Sequence, residues 1–247
     1  MNDFNPFSLT GKTILVTGAS SGIGRGISIS CSKMGATVII MGRNAERLAS
    51  TFSQLSGDGH QQLICDLTDY DSIVSQVSML PRLDGVVHCA GVGDRVLCKQ
   101  LTESSYDHIM DSNLKGPVLL QTQLLSQKKL SKGASVIFIS SIATWLPSVG
   151  NAVYSASKGA LASYAKCLSL ELAPRNIRVN CISPGMVWTD LIIQDSVDEE
   201  LLKKDESSYP LKRYGQPDDI ANLAIYLLSD ASTWMTGSNV KISGGVG

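Results

Sequence analysis

Residues 13–24 read TILVTGASSGIG, a β-branched run that ends in a glycine-rich turn and opens into a helical pattern. Few folds place such a turn there. Gly18 permits the tight turn, and Gly22 and Gly24 leave out side chains where backbone would approach a pyrophosphate. The helix that follows offers unpaired N–H groups and the positive end of its dipole. Ser20 and Ser21 add hydroxyls, and Ile23 separates the last two glycines. The spacing G-x-x-x-G-x-G in a first βα unit predicts a nucleotide-phosphate site rather than a plain connector.

The rest of the chain repeats the strand–helix alternation. Strands are predicted at Thr13–Thr17, Thr37–Met41, Gln61–Asp66, Gly85–Cys89, Ser135–Ser140 and Ile177–Ser183, with Val240–Ile242 as a last edge strand. Helices are expected at Gly22–Met34, Ala45–Leu55 and 151–173, and in a long region from Thr102 to Leu130 that Pro117 interrupts near its middle. The strands are continuously apolar, as when helices cover both sheet faces. The prediction is one α/β domain over residues 1–247: a Rossmann-like, doubly wound parallel sheet with helices on both faces.

Composition narrows the partners. The 247 residues carry 21 basic and 22 acidic side chains, and no cationic run marks a nucleic-acid or anionic-membrane footprint. No stretch has the apolar length of a membrane span, and the polar start of the chain is unlike a signal peptide. Cysteines 31, 65, 89, 98, 167 and 181 are scattered without metal-ligand spacing. They read as reduced and mostly buried, which implies no metal and a cytoplasmic protein.

Two further features carry chemistry. The second strand ends Met41-Gly42-Arg43-Asn44, without the carboxylate that would bond an adenosine ribose 2′-hydroxyl. The Arg43 fork and the Asn44 amide suit a 2′-phosphate, so NADP(H) is expected over NAD(H). Tyr154 and Lys158 then lie one turn apart on a helical face that continues as Leu161, Ala165, Leu168 and Leu172, so both polar groups point into the protein. An ammonium about 4–5 Å from the phenol would lower its pKa by about 2–3 units and fit it for general acid/base work on a carbonyl/alcohol pair. Ser141, after a strand and thirteen residues before Tyr154, can hydrogen-bond a substrate carbonyl; Asn113 could hold a water in a proton relay.

Together these residues resemble the short-chain dehydrogenase/reductase family over essentially the whole chain. The matching pieces are 17–24, Cys65-Asp66-Leu67, Ala90-Gly91, Asn113, Ser141, YSASK at 154–158, Arg178-Val179-Asn180, and Pro184-Gly185 followed by Thr189. The resemblance implies Tyr154 as acid/base, Lys158 on the nicotinamide ribose, Ser141 orienting the carbonyl and Asn113 completing the four. It also implies Asp66 at the adenine with Leu67 beside it, and Ala90 and Gly91 lining the nucleotide. The segment of Pro184, Gly185, Val187 and Thr189 would meet the carboxamide and diphosphate. A homotetramer, or a dimer, is the implied assembly, and the small residues Ala156, Gly159 and Ser163 on the opposite helix face suit close helix contact. Two departures stand out: Cys89 where the family has Asn, and Ser243-Gly244-Gly245 where it has Asp-Gly-Gly.

The expected activity is NADP(H)-dependent interconversion of a carbonyl and a secondary alcohol on a small-molecule or acyl-thioester substrate. Residues 190–213, with Leu191, Ile192, Ile193, Val197, Leu201 and Leu202, read as a mobile amphipathic lid suited to an acyl chain. In layout the chain most resembles 3-oxoacyl-acyl-carrier-protein reductases, and Lys132 and Arg175 stand where basic residues could hold an acidic carrier. Sugar, polyol and steroid substrates stay open, as does a catalytically weak NADP(H)-binding sensor or scaffold of the same fold.

Overall fold

A computed structural model describes residues 4–190, 192 and 199–247. The strands are β1 (Thr13–Thr17), β2 (Thr37–Gly42), β3 (Gln61–Ile64), β4 (Leu83–His88), β5 (Leu130–Ile139), β6 (Arg178–Pro184) and β7 (Asn239–Ile242). They form one parallel sheet in the order β3-β2-β1-β4-β5-β6-β7. The helices are α1 (Gly22–Lys33), α2 (Ala45–Phe52), α3 (Tyr70–Met79), α4 (Glu103–Met110), α5 (Gly116–Ser126), α6 (Ala152–Leu172), α7 (Glu199–Ser208) and α8 (Pro217–Leu228).

Alternation along each buried strand splits the core in two. On one face Leu15, Val86, Val136, Phe138 and Val179 pack with residues of α3, α5 and α6. On the other, Ile14, Val16, Val87, Ile137 and Ile182 pack with residues of α1 and α8. The single doubly wound domain expected from the sequence is therefore present. Chain order reverses between β1 and β4, and a sheet of this kind opens its ligand crevice at the carboxyl ends beside that switch. No helix among the described residues is long and apolar enough to cross a membrane.

Several details depart from the sequence reading. β5 begins at Leu130 rather than Ser135, because its first residues pair back to Leu83 through an irregularity in the ladder. The break in the 102–130 helix falls before Pro117: Asp111–Lys115 form a π turn, and Pro117 occupies the first turn of α5. Proline lacks the N–H that an α-helix would direct to the carbonyl four residues back, so the chain loosens over those residues. All six cysteines are free, but only Cys31, Cys65 and Cys181 are buried; Cys98 and Cys167 are exposed. Cys98 sits in a short 3₁₀ turn and Cys167 on the outward face of α6, positions that the strand–helix pattern does not bury.

The glycine turn is braced from behind. Arg25 Nη2 donates to the Ser20 carbonyl at 2.6 Å and its Nε to Thr51 Oγ1 at 3.0 Å, while Thr51 Oγ1 donates to the Ala19 carbonyl at 2.9 Å. Thr51 is fully buried, so losing its hydroxyl strands the Arg25 and Ala19 partners away from water. Thr51→Val is expected to lower unfolding free energy by about 1–3 kcal/mol, measured by urea denaturation. A midpoint equal to that of the wild type would show that the brace is dispensable.

Candidate active site

The site is assembled at the carboxyl ends of β1, β4, β5 and β6. After β1, Gly18 has φ +65°, and an added Cβ would come within 2.8 Å of the Ala90 backbone. The turn from β1 therefore presses on the turn from β4. Thr17 joins them, because its Oγ1 accepts from the backbone N–H groups of Cys89 at 3.0 Å and Ala90 at 3.1 Å. Its role was not anticipated from sequence, although a polar residue closing an apolar strand is a faint signal. Ser21 starts α1 without a side-chain cap, and the first turn of α1 carries no acidic residue. Those helix N–H groups therefore suit an anion, which is the chemistry a dinucleotide diphosphate requires.

The tyrosine–lysine pair falls on α6 as the spacing predicts, with Leu161, Ala165, Leu168 and Leu172 buried below it. Lys158 is buried, and its Nζ donates to the Ile139 carbonyl at the end of β5 at 3.0 Å. Ser140 Oγ donates to the Lys158 carbonyl at 3.0 Å, locking the helix to the same strand end. Burial pushes the Lys158 ammonium down to about 8. The Lys158 Nζ lies 5.9 Å from the centroid of the Tyr154 ring.

This geometry corrects one expectation. Burial raises the Tyr154 pKa, and the hydrogen bond with Ser141 offsets the rise only in part.

Asn113 lies in the π turn and is fully buried. Its Oδ1 accepts from Val92 N–H at 2.7 Å, and its Nδ2 donates to the Val92 carbonyl at 3.0 Å and to Ser157 Oγ at 3.2 Å. Ser157 Oγ in turn donates to the Tyr154 carbonyl at 2.7 Å. The Asn113 side chain is thus engaged in clamping the β4 turn to α6. Gly91 explains itself here: a Cβ would come 2.9 Å from Asn113 Oδ1 and 3.1 Å from Lys158 Nζ. Cys89, the departure from the family's Asn, is a thiol pushed up to about 12 by burial.

The residues expected at the nucleotide lie beyond the ends of β2, β3 and β6. Asp66 Oδ1 accepts from Thr68 N–H at 2.9 Å and Thr68 Oγ1 at 2.8 Å. The Thr68 N–H bond above all, with the Thr68 hydroxyl and the Arg43 charge, holds the Asp66 carboxyl below the usual range. Leu67 packs in the core beside it. Asn44 caps α2, its Oδ1 accepting from Arg47 N–H at 2.9 Å, so its NH₂ group is the part suited to an anion. Pro184 ends β6, Gly185 N–H donates to the Ile242 carbonyl at 2.9 Å, and Val187 bridges Gly215. Thr189 lies against Gly22.

Other expectations are redistributed. Leu191, Ile193 and Val197 lie outside the described residues. Ile192 and Leu202 belong to a small apolar cluster with Tyr209, Tyr214, Met186, Trp188 and Val246. Glu206 Oε1 accepts from Trp188 Nε1 and Tyr214 N–H, each at 2.9 Å, so α7 is tied to the segment after β6. Lys132 and Arg175 precede the well-paired parts of β5 and β6 and stand at the amino end of the sheet. Residues 135–141, at about 3.3 Å each, put roughly 20 Å between that end and Ser141. Within one chain these bases do not flank the site.

The geometry agrees with comparison to known proteins. The family model described as Enoyl-(Acyl carrier protein) reductase matches residues 18–247. The chain belongs to the short-chain dehydrogenase/reductase family and is an oxidoreductase acting on CH–OH groups. It is 35% identical over 238 residues to the 3-oxoacyl-(acyl-carrier-protein) reductase of Rickettsia felis, covering 96% of this chain and 98% of that one. It is 34% identical over 245 residues to the L-xylulose reductase of Caenorhabditis elegans, covering 97% of each. A crystal structure of a glucose/ribitol dehydrogenase of this family from Brucella melitensis superposes with TM-score 0.91 at 27% identity, covering 98% of each chain.

Beneath the site lies a buried pair that sequence reading passed over. His88 at the end of β4 stacks on Phe138, with centroids 4.5 Å apart and planes within 7°, and its Nε2 is 2.9 Å from Gln121 Oε1. Burial pushes His88 down to about 4. The unfolded chain takes up a proton on this imidazole near its ordinary value of 6.5 and the folded chain only near 4, so folded-state stability falls as pH drops through that window. Its full cost is on the order of 3 kcal/mol. Expected is a steeper loss of stability between pH 6.5 and 4 for the wild type than for His88→Asn, followed by urea midpoints at each pH. Parallel curves would show that His88 does not set acid tolerance.

Proposed function

We propose that the protein carries out reversible hydride transfer between NADP(H) and a carbonyl/secondary-alcohol pair, with 3-oxoacyl thioesters as the favoured substrate class. The observation that carries the reading is the meeting of Ser141, Tyr154 and Lys158 beside Gly91 and the uncapped glycine turn. When bound, the reduced nicotinamide supplies the hydride. The Ser141 hydroxyl holds the carbonyl oxygen, and the protonated Tyr154 phenol gives that oxygen its proton. Lys158, titrating near 8, is placed to bind the ribose hydroxyls and pass a proton on towards neutral pH. Asn113 enters the relay through its main-chain carbonyl, which Pro117 deprives of an α-helical N–H donor, while its side chain holds the scaffold.

Arg43 and the Asn44 amide support the 2′-phosphate preference, in a strand end without a carboxylate. The name of the Rickettsia felis relative supports the thioester class, and the exposed Leu146 and Val149 after β5 offer apolar surface for an acyl chain. Residues 190–213 are the proposed substrate lid, and the apolar cluster of Leu202, Tyr209 and Tyr214 against the segment after β6 supports that reading. The free cysteines support a cytoplasmic setting.

Tyr154→Phe is expected to lower kcat by 10²- to 10⁴-fold, roughly the span of lost acid catalysis, with NADPH affinity by titration calorimetry largely unchanged. A variant that keeps most of its kcat on an acetoacetyl thioester overturns the assignment.

The proposed assembly is a homotetramer or dimer. Leu170 on α6 is 70% exposed, Trp234 before β7 is fully exposed, and a cavity of about 340 Å³ opens between α6 and β6–β7, lined by Gly159, Ala162 and Ser163. Such apolar and small-residue surface calls for cover. Light scattering at micromolar protein should give a tetramer or dimer mass, shifted down by Trp234→Ser; a monomeric wild type rules the assembly out.

A further inference from the structure

Two guanidinium groups flank the end of β2, in different company. Arg43 lies near the Asp66 carboxylate and shares with Thr68, Glu103, Asp107 and Asp111 the wall of a cleft of about 510 Å³. Its charge is met by carboxylates on the adenine side. Arg47, in the first turn of α2, faces the other way: its Nη1 is 3.8 Å from Asp190 Oδ2, and both side chains are about half exposed. Asp190 follows Thr189, and a Cβ added at Gly22 would meet Thr189 Cγ2 at 3.0 Å. Residues 189–190 therefore run from beside the glycine turn to α2. The carboxylate on that segment pairs loosely with the Arg47 guanidinium beside the glycine turn, and both stay about half exposed.

Resting on the NADP(H) reading above, we infer that Arg47 is a second guanidinium for the cofactor's 2′-phosphate and that Asp190 is its stand-in counter-ion. An exposed pair 3.8 Å apart is weak and easily exchanged. A phosphate dianion accepting the planar fork of an arginine is the stronger partner. Arg43 from the adenine side and Arg47 from the strap side then close on the phosphate together, and Asp190 is released. With NADH the Arg47–Asp190 pair persists. Arg47 is thus a specificity-determining residue, and Asp190 opposes it by competing for the same fork and by adding negative charge.

The test is titration calorimetry with NADPH, NADH and 2′,5′-ADP on the wild type, Arg47→Gln and Asp190→Asn, each checked for a wild-type thermal melt. Arg47→Gln is expected to weaken NADPH and 2′,5′-ADP by roughly tenfold, the worth of one charged hydrogen bond, while NADH moves by less than about twofold. Arg47→Lys should recover part of the loss, since it restores charge without the fork. Asp190→Asn is expected to tighten NADPH and 2′,5′-ADP a few-fold. If the wild type favours NADPH but Arg47→Gln leaves it unmoved, or weakens NADH equally, the inference fails and the cofactor reading stands. A wild type that binds NADH more tightly overturns the cofactor reading and this inference with it.

Discussion

A lysine ammonium held out of water organises this molecule. Removing such a charge from solvent costs several kcal/mol unless the protein supplies oxygen atoms around it. Here the Ile139 carbonyl at the end of β5 is one, fixed in place because β5 is paired on both sides. Everything near the group makes room for it or points at it. Gly91 has no side chain, the π turn brings in Asn113, and Ser140 holds the helix that carries the lysine. The remaining instability shows in the depressed pKa of Lys158, which leaves the group able to exchange a proton close to neutrality.

The same economy of space governs the nucleotide side. Reversal of strand order between β1 and β4 sets two turns against each other, so that a side chain at Gly18 would strike the Ala90 backbone. Thr17 ties the turns by hydrogen bonds, Arg25 and Thr51 brace the first from behind, and Asn113 anchors the second to α6. These are buried polar groups with their partners satisfied, so they rigidify rather than destabilise the crevice. Preorganisation of this kind is what lets hydroxyl, phenol and ammonium meet a substrate without rearrangement.

Much of this was legible in order along the chain. The glycine turn, the Tyr154–Lys158 spacing and Ser141 at a strand end are local patterns, and local patterns survive folding because a strand or helix fixes side-chain direction. What escaped was set by contacts distant in sequence. The break in the 102–130 helix could be tied to Pro117, yet its form, a π turn over Asp111–Lys115 whose Gly116 leaves no room for a side chain against Leu67, is visible only in the packed structure. Spacing places Tyr154 and Lys158 on one face but does not say that burial raises the phenol's pKa or that the ammonium bonds the Ile139 carbonyl. Lys132 and Arg175 looked useful until strand direction put them at the far end of the sheet. The buried His88–Gln121 pair left no trace beyond two polar letters in apolar runs.

By itself the sequence determined a doubly wound parallel sheet, a phosphate-binding first turn and a phenol–ammonium pair directed inward, because each follows from periodicity or spacing within one or two elements. Only the tertiary structure decided the burial that raises the Tyr154 pKa, the clamping duty of Asn113, the brace behind the glycine turn and the pairing of Arg47 with Asp190. Those depend on burial and on distances between groups far apart in the chain, and neither quantity exists until the elements pack.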